Sequence, residues 1–147
     1  MDYKQDYDKR SECNTSELKC ENYLKSKKVK YIRYGFDKHI NPIPKDLFWL
    51  IPTTIRKQPD FIVFQSKTIF LEVKGCKDIL RVKIEDIKSY DFWAQIMPLS
   101  FFLYSSKYNQ VKLVSFKHIK VLTTIAPIDR YPDNNKEYFK IDWGAID

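Results

Sequence analysis

Glycine and cysteine are both scarce in this chain of 147 residues, which contains 3 of each. A loop that cradles phosphates needs several glycines close together, so a P-loop and a dinucleotide-binding loop are excluded. Cys13, Cys20 and Cys76 are an odd number without paired metal-ligand spacing. A disulfide framework and a zinc site are therefore not expected, and the sequence predicts free thiols in a reducing compartment.

Long hydrophobic runs are also missing. No apolar stretch reaches the ~18–20 residues that a helix needs to span a bilayer. Residues 1–12 are polar, carry charges of both signs and lack the apolar core of a secretory signal. We therefore expect a cytoplasmic protein that does not associate with membranes.

The sequence does have material for a core and an excess of positive charge. Hydrophobic residues make up 44% of the chain and aromatic residues 16%, which is enough to fold one domain over residues 1–147. The formal net charge is +7. A basic chain favours an anionic partner, and nucleic acid fits best because no segment suits a membrane.

Hydrophobic periodicity and turn signals predict the order α-β-loop-β-β-α-β-β, which is typical of an α/β domain with a mixed sheet flanked by helices. The first helix is predicted to begin at Asn14, with Asn14 and Glu17 forming a capping box, after a flexible N-terminus over residues 1–13. The following segments are predicted to be strand 29–34, loop 35–58, hairpin 61–64 with 68–73, helix 83–93, hairpin 99–104 with 111–116, short helix 118–122 and tail 123–147. In the helix 83–93, Ile84, Ile87 and Asp91 are expected along one side.

Two charged residues, Glu72 and Lys74, lie at the end of the apolar strand predicted at 68–73 and directly after it. Glu72 and Lys74 are two apart, so both point to the same face of a strand. A three-residue loop would pair Thr68 with Phe64 and place Glu72 opposite Asp60, with their Cβ atoms ~5 Å apart. Two carboxylates that close repel each other unless a cation lies between them, and oxygen ligands at that spacing suit Mg²⁺.

Pro59-Asp60, followed twelve residues after the aspartate by Glu72-Val73-Lys74, resembles the PD-(D/E)XK motif of the restriction-endonuclease-like superfamily. The resemblance covers about residues 14–120 and implies an α-β-β-β-α-β core and a metal-dependent endodeoxyribonuclease. It implies that Asp60 and Glu72 bind Mg²⁺ together with the backbone carbonyl of Val73, and that Lys74 is catalytic. Mn²⁺ is expected to substitute, and Ca²⁺ is expected to bind without turnover.

The superfamily also has a glutamate on the helix before the hairpin, which helps to hold the metal through water. Glu17 is the favoured match and counts as a catalytic candidate, whereas Glu21, one turn later, is the alternative. A structural role is open for Glu17, because a capping-box glutamate contributes ~1 kcal/mol to a helix without any part in catalysis.

Double-stranded DNA is the partner that the resemblance implies. Phosphate contacts are expected from basic residues that flank the carboxylates, since lysine and arginine position a protein on the DNA backbone. These candidates are Lys28, Lys30, Arg33, Lys38, Arg56, Lys57, Lys77, Arg81, Lys83 and Lys88.

Three functions compete at this point. Chain size, a Lys/Ile/Tyr-rich character and the basic segment 35–58 are similar to the bacterial group I intron-encoded homing endonucleases of this class, which implies a specificity region at 35–58 and a double-strand break at a long pseudo-palindromic site. That resemblance also implies a homo-oligomer, a tetramer rather than a dimer, with subunit contacts at the tail 123–147 and the Phe101-Phe102 strand. The alternatives are a Holliday-junction resolvase, which shares the motif layout, and a non-catalytic DNA-binding module of the same fold.

Overall fold

The computed structural model describes residues 3–36 and 43–147. The helices are α1 Tyr3–Ser26, α2 Lys45–Phe48, α3 Thr53–Arg56, α4 Ile84–Ile96 and α5 Phe116–Thr123. The strands are β1 Lys30–Arg33, β2 Phe61–Phe64, β3 Thr68–Cys76, β4 Ile79–Lys83, β5 Leu99–Ser105, β6 Gln110–Ser115, β7 Ile128–Arg130 and β8 Glu137–Asp142, followed by a 3-10 turn at Trp143–Ala145. Within these residues, no helix combines the length and the apolar character that crossing a bilayer requires.

The main sheet has five strands in the order β1-β2-β3-β5-β6. It is mixed, because β3 and β5 run parallel while the other neighbours run antiparallel. The β2–β3 hairpin has the predicted register, with Phe64 opposite Thr68 and Ile62 opposite Phe70. The chain returns from β3 to β5 through β4 and α4, which is the crossover that a parallel pair needs.

Helices cover both faces of this sheet. On one face Cys20 and Leu24 of α1 pack with Phe61, Leu71 and Phe102. On the other face α4 and α5 contribute Tyr90, Trp93, Phe116 and Ile119, which pack with Phe70, Phe101 and Leu103. Since side chains alternate along a strand, Phe70, Glu72 and Lys74 of β3 share the face that α4 covers. The predicted α/β class, with a mixed central sheet flanked by helices, is confirmed.

A second sheet was not predicted. It has the order β4-β8-β7 and uses the tail, with Ile79 paired to Asp142 and Ile128 to Phe139. Trp143 and Ile146 of the tail are buried in the main core, where they are 4% and 0% exposed.

The subunit contacts expected at the Phe101-Phe102 strand are wrong, because these side chains are 1% and 0% exposed within one chain. Tyr138 and Trp143 of the tail are also buried within one chain, whereas Ile125 and Ile128 are exposed, so a subunit contact at the tail 123–147 stays a prediction.

The predicted start of the first helix is wrong. The described backbone is helical from Tyr3, so the stretch expected to be flexible belongs to α1, and Glu17 lies inside the helix rather than in a capping box. Residues 3–13 contain neither proline nor glycine, so nothing in the chain stops the helix before Asn14. The segment 35–58 also differs from a simple loop, since α2 and α3 form within it.

Helix α4 buries Asp86, Ser89, Tyr90 and Trp93. Ile84, Ile87 and Asp91, which were expected along one side of this helix, are all half-buried, and Ile87 packs against the core. The buried face of α4 therefore contains polar groups as well as apolar ones, on the side that meets the charged residues of β3.

Candidate active site

Asp60 is fixed at the start of β2 by its backbone and by its side chain. The Tyr34 N–H donates to the Asp60 carbonyl oxygen at 2.8 Å. The Val73 N–H donates to Asp60 Oδ2 at 2.8 Å, which ties the carboxylate to the neighbouring strand β3. Gly35 allows this arrangement, because a Cβ atom there would lie 3.3 Å from the Pro59 oxygen and 3.4 Å from Asp60 Cα.

The hairpin register, continued by one residue beyond the Phe61–Leu71 pair, sets Glu72 opposite Asp60. Glu72 is only 9% exposed, so a carboxyl group is buried among the apolar residues of β3. Burial raises the pKa of Glu72 well above its usual value, and the negative charge of Asp60 and a hydrogen bond to its side chain raise it further. The positive charge of Lys74 lowers the pKa of Glu72. A buried pair of this kind is stable only when a proton or another cation is shared between the two carboxyl groups.

Lys74 lies on the same face, beside Glu72. Its ammonium group hydrogen-bonds to the Tyr90 hydroxyl and lies 5.7 Å from the centre of the Tyr90 ring. Burial alone would lower the pKa of Lys74, but Tyr90, Glu72 and Asp86 outweigh it and hold the pKa well above its usual value. Burial also raises the pKa of Tyr90, so this hydroxyl keeps its proton. The site therefore holds a fixed positive charge beside its two carboxylates.

Two further groups belong to this arrangement: Asp86, which was missed in the sequence, and Lys57, which was expected to contact DNA. Asp86 is 8% exposed in the first turn of α4, and its charge acts on both Glu72 and Lys74. Lys57, which follows α3, makes ion pairs with Asp86 and, at 3.1 Å, with Glu85. The sequence signal that could have identified Asp86 is its spacing from Tyr90, since residues four apart lie on one side of a helix.

The second sheet, which was not predicted, adds basic residues near the site, of which Arg81 and Lys83 were expected to flank the carboxylates and Lys136 was not. Arg81 lies over the Tyr138 ring at 5.4 Å and Lys83 over the Tyr131 ring at 5.6 Å. Burial and the neighbouring Lys136 lower the pKa of Lys83. Lys136, from the tail, pairs with Glu85 at 3.0 Å. The charges of Arg81 and Lys74 both act on Tyr131, so these residues add positive charge near Lys74.

Glu17 and Glu21 both project from α1 to the same arginine. The Arg33 guanidinium is 3.6 Å from Glu17 Oε2 and 3.1 Å from Glu21 Oε1. Cys20 of α1 packs against the hairpin, and its pKa rises to about 12 through burial and the charges of Asp60, Glu21 and Glu17. Arg33 lies opposite Phe61, the residue after Asp60, so the two glutamates lie near the Asp60 end of the hairpin. The catalytic role of Glu17, with Glu21 as alternative, stays a prediction.

The proposed DNA contacts fall into two groups, apart from Lys38 and from Lys83, which is half-buried over the Tyr131 ring. Arg33 and Lys57 are engaged in ion pairs, and the Arg56 Nε donates to the Ile51 carbonyl at 2.9 Å. The second group has exposed side chains and consists of Lys28, Lys30, Lys77, Arg81 and Lys88. Lys38 lies outside the described residues. The exposed group is better suited to meet phosphates, because its charge is directed to solvent.

The donor set fits a hard cation with few protein ligands. Within the described part of the chain, no three His, Cys, Asp or Glu side chains are grouped so that they could hold a metal ion. A pair of carboxylates is nevertheless sufficient for Mg²⁺, since it keeps several waters and takes one or two protein carboxylates together with substrate phosphate. Asp60 and Glu72 are the residues that could hold it, and the contribution of the Val73 carbonyl stays a prediction.

Solved structures share this fold. Hjc, a Holliday junction resolvase from Archaeoglobus fulgidus, has a TM-score of 0.55 and 12% sequence identity, over 91% of this chain and 86% of the resolvase chain. D212, a nuclease from a fusselovirus, has a TM-score of 0.51 and 11% identity, over 95% of this chain and 84% of the viral chain. No protein-family profile and no curated protein sequence matches the chain. At such low identities the likeness shows a fold shared with these nucleases, the restriction-endonuclease-like fold.

Proposed function

We propose that this protein is a Mg²⁺-dependent endonuclease that hydrolyses phosphodiester bonds in DNA. The observation that carries the proposal is the β2–β3 register, which puts Asp60 opposite the buried Glu72, with Lys74 on the same face. The basic net charge of +7 and the fold shared with two nucleases support it. Two repelling carboxylates beside an ammonium group are explained by metal-dependent catalysis, whereas DNA binding alone does not require them.

Each residue has a role that follows from its position. Asp60 and Glu72 would hold Mg²⁺, with the Val73 carbonyl as a further ligand and Glu17 binding through water. A bound Mg²⁺ supplies Lewis acidity toward the scissile phosphate and lowers the pKa of a coordinated water. Lys74 neutralises negative charge that develops on the phosphate, since its ammonium group is held by Tyr90 and flanked by carboxylates.

Two kinds of DNA substrate remain candidates within this proposal. A homing endonuclease cuts one long duplex site and would use the segment 35–58 to read it. A Holliday-junction resolvase reads the shape of a branch, and one of the two fold neighbours described above is such an enzyme. Neither neighbour is described as a homing endonuclease, so the proposal covers both substrate classes. A homo-oligomer, as a tetramer or a dimer, is proposed for either.

Isosteric substitutions at the site test the activity. In Asp60→Asn the amide oxygen can still accept from the Val73 N–H, so the fold is kept while one carboxylate charge is lost. We expect Asp60→Asn and Lys74→Met to lose at least ~100-fold of the cleavage rate with Mg²⁺ or Mn²⁺ and to bind DNA within a few-fold of the unchanged protein. Ca²⁺ is expected to support binding without cleavage, and EDTA to abolish cleavage.

The matched control is Asp91→Asn, because Asp91 lies on α4 and pairs with Lys120 on the protein surface. It should cleave at the unchanged rate. Near-normal cleavage by Asp60→Asn would show that the site is assigned wrongly. The substrates are random duplex, a four-way junction and a library of intron-insertion sequences. Cleavage of one duplex site alone supports homing, and cleavage of the junction alone supports resolution. DNA binding without cleavage of any substrate would leave only a binding module.

A further inference from the structure

The segment before β2 displays apolar side chains that the proposed chemistry does not use. We define the apolar cluster as Leu47, Phe48, Trp49 and Leu50, at the end of α2. Leu47, Trp49 and Leu50 are 50%, 61% and 78% exposed. Single exposed apolar residues are ordinary, whereas adjacent ones that include a tryptophan mark an interaction site.

The cluster has a defined conformation. Phe48 contacts the Phe36 ring, with centroids 6.2 Å apart, and the Trp49 ring, with centroids 5.5 Å apart. The Arg56 guanidinium lies 4.6 Å from the centre of the Trp49 ring. Arg56 is itself held by the Ile51 carbonyl and by Thr53 Oγ1, each at 2.9 Å. The ring is therefore supported from within the segment while most of its surface faces solvent.

The cluster is also linked to the candidate active site by direct contacts. The Trp93 indole N–H donates to the Thr54 carbonyl at 3.0 Å, which anchors α3 to α4. Trp93 contacts Tyr34 at 5.8 Å between ring centroids, and the Tyr34 N–H donates to the Asp60 carbonyl. The side chain of Gln58 donates to the Tyr34 carbonyl. The exposed tryptophan thus belongs to the same packed unit as the first carboxylate of the site.

We propose that Trp49 is a stacking platform for an unpaired or unstacked nucleobase of the DNA held at the Asp60–Glu72 site; the inference rests on the proposed nuclease function. An aromatic ring stacks on the face of any base, and the Arg56 guanidinium adds positive charge beside the ring. In the segment 43–58 Lys45 and Arg56 outnumber the single acidic residue, Asp46, even without Lys57, which is paired with Asp86, and this balance suits an anionic partner. A base inside a continuous duplex presents no open face, so the platform favours branched, bulged or sharply kinked DNA.

Intrinsic fluorescence isolates this residue. The chain has three tryptophans, and Trp93 and Trp143 are each 4% exposed. Quenching of the emission by a stacked base therefore reports on Trp49. The full chain is titrated in Ca²⁺ with a continuous duplex and with the same duplex interrupted by a bulge of unpaired thymines. We expect the bulged DNA to quench the emission strongly and the continuous duplex to quench it weakly.

Substitutions separate stacking from other effects. Trp49→Ala should weaken binding of the bulged DNA by about tenfold, within the range for the loss of one stacked base, and leave binding of the duplex unchanged. Trp49→Phe should abolish the quenching and keep the preference for the bulge. Ile125→Ala, which removes a side chain that is 82% exposed far along the chain from this segment, should bind as the unchanged protein does.

Equal quenching by the two DNAs, or a full preference for the bulge in Trp49→Ala, would overturn the inference. A lower oligomeric state of Trp49→Ala in sedimentation, without a change in that preference, would instead assign the cluster to a second copy of the chain. Cleavage with Mg²⁺ is measured in parallel. Preference and quenching without any cleavage would overturn the nuclease proposal alone, and cleavage without preference would overturn this inference alone.

Discussion

The carboxyl groups of Asp60 and Glu72 lie opposite each other, so a negative charge on one disfavours ionisation of the other. The high pKa of Glu72, caused first by burial and next by Asp60, shows that the fold tolerates an unfavourable contact here. Lys74 offsets part of it, yet its ammonium group is also shared with Tyr90 and Asp86. Such a pair destabilises the protein without a cation, and a cation that binds the folded state stabilises it.

This repulsion makes a prediction for the stability of the protein. Asp60→Asn removes one charge of the pair, so the protein without metal should become more stable by about 1 kcal/mol, the scale of one pKa unit. For a chain of this size, that is ~4 °C in melting temperature. The unchanged protein should gain stability from added Mg²⁺ and Asp60→Asn should gain little. Thermal unfolding followed by circular dichroism, in EDTA and in Mg²⁺, measures both effects.

Asp91→Asn serves as the control here as well, since Asp91 is paired with Lys120 and lies away from the carboxylate pair. It should not be stabilised in EDTA, and Mg²⁺ should raise its melting temperature as in the unchanged protein. If Asp60→Asn melts at a lower temperature than the unchanged protein in EDTA, the two carboxylates do not repel each other in the way that the register implies.

At the scale of elements, α4 connects the two sheets through charged groups. Its first turn contains Glu85 and Asp86, where negative charge is favoured by the helix dipole. Asp86 turns inward to Lys57 and the site, whereas Glu85 faces solvent between Lys57 and Lys136. The pKa of Glu85 falls to about 2, first through the hydrogen bond from Lys136 and next through that from Lys57. One carboxylate thus joins α3, α4 and the tail.

The Glu85 pairs are expected to make a small contribution to stability that depends on pH. Glu85 is more than one-third exposed, so Glu85→Gln should cost only ~0.5 kcal/mol at neutral pH. A pKa that is lower in the folded state stabilises the protein above the unfolded-state value, near 4.3, and the effect disappears as the pH falls toward 2. Urea unfolding of both proteins at pH 7, 4 and 3 should show the difference shrinking at each step. A difference that grows on acidification would contradict these pairings.

The same elements show what a sequence can and cannot specify. The register of β2 and β3 followed from loop length and alternation, because both are local: the hairpin spans Phe61 to Cys76. The pairing of β4 with β8 joins Ile79 to Asp142, and no local pattern encodes a contact between residues that far apart. In α4, hydrophobic spacing drew attention to Ile84 and Ile87, whereas the buried face also contains Asp86 and Ser89. Asp60, Glu72 and Lys74 could be proposed as site residues from the sequence because their motif is local. Asp86 and Lys136 could not, because distant parts of the chain bring them near that motif.

For the whole molecule, only part of the positive charge is free to meet DNA phosphates, because some basic residues are paired with acidic residues of the same chain. Arg33 and Lys57 are neutralised by glutamates and aspartates of the same chain, and Lys136 pairs with Glu85. Lys28, Lys30, Lys77 and Lys88 have exposed side chains instead. Binding of DNA releases counterions only where a phosphate replaces them, so the exposed lysines should dominate the salt dependence.

Lys77, directly after the strand that contains Glu72 and Lys74, gives the sharpest test of this division. Each phosphate contact contributes ~0.9 to the slope of log affinity against log salt concentration, so Lys77→Gln should lower the slope by about that amount. Lys117→Gln, which removes an exposed lysine on α5, should leave the slope unchanged. Lys57→Gln should also leave it nearly unchanged, because Lys57 is paired with Asp86, and should instead lower the melting temperature. Fluorescence anisotropy in Ca²⁺ over a range of KCl concentrations gives all three slopes. A slope that falls equally for Lys77→Gln, Lys117→Gln and Lys57→Gln would contradict this division. DNA binding would then depend on the net charge of the molecule and not on particular exposed lysines near the site.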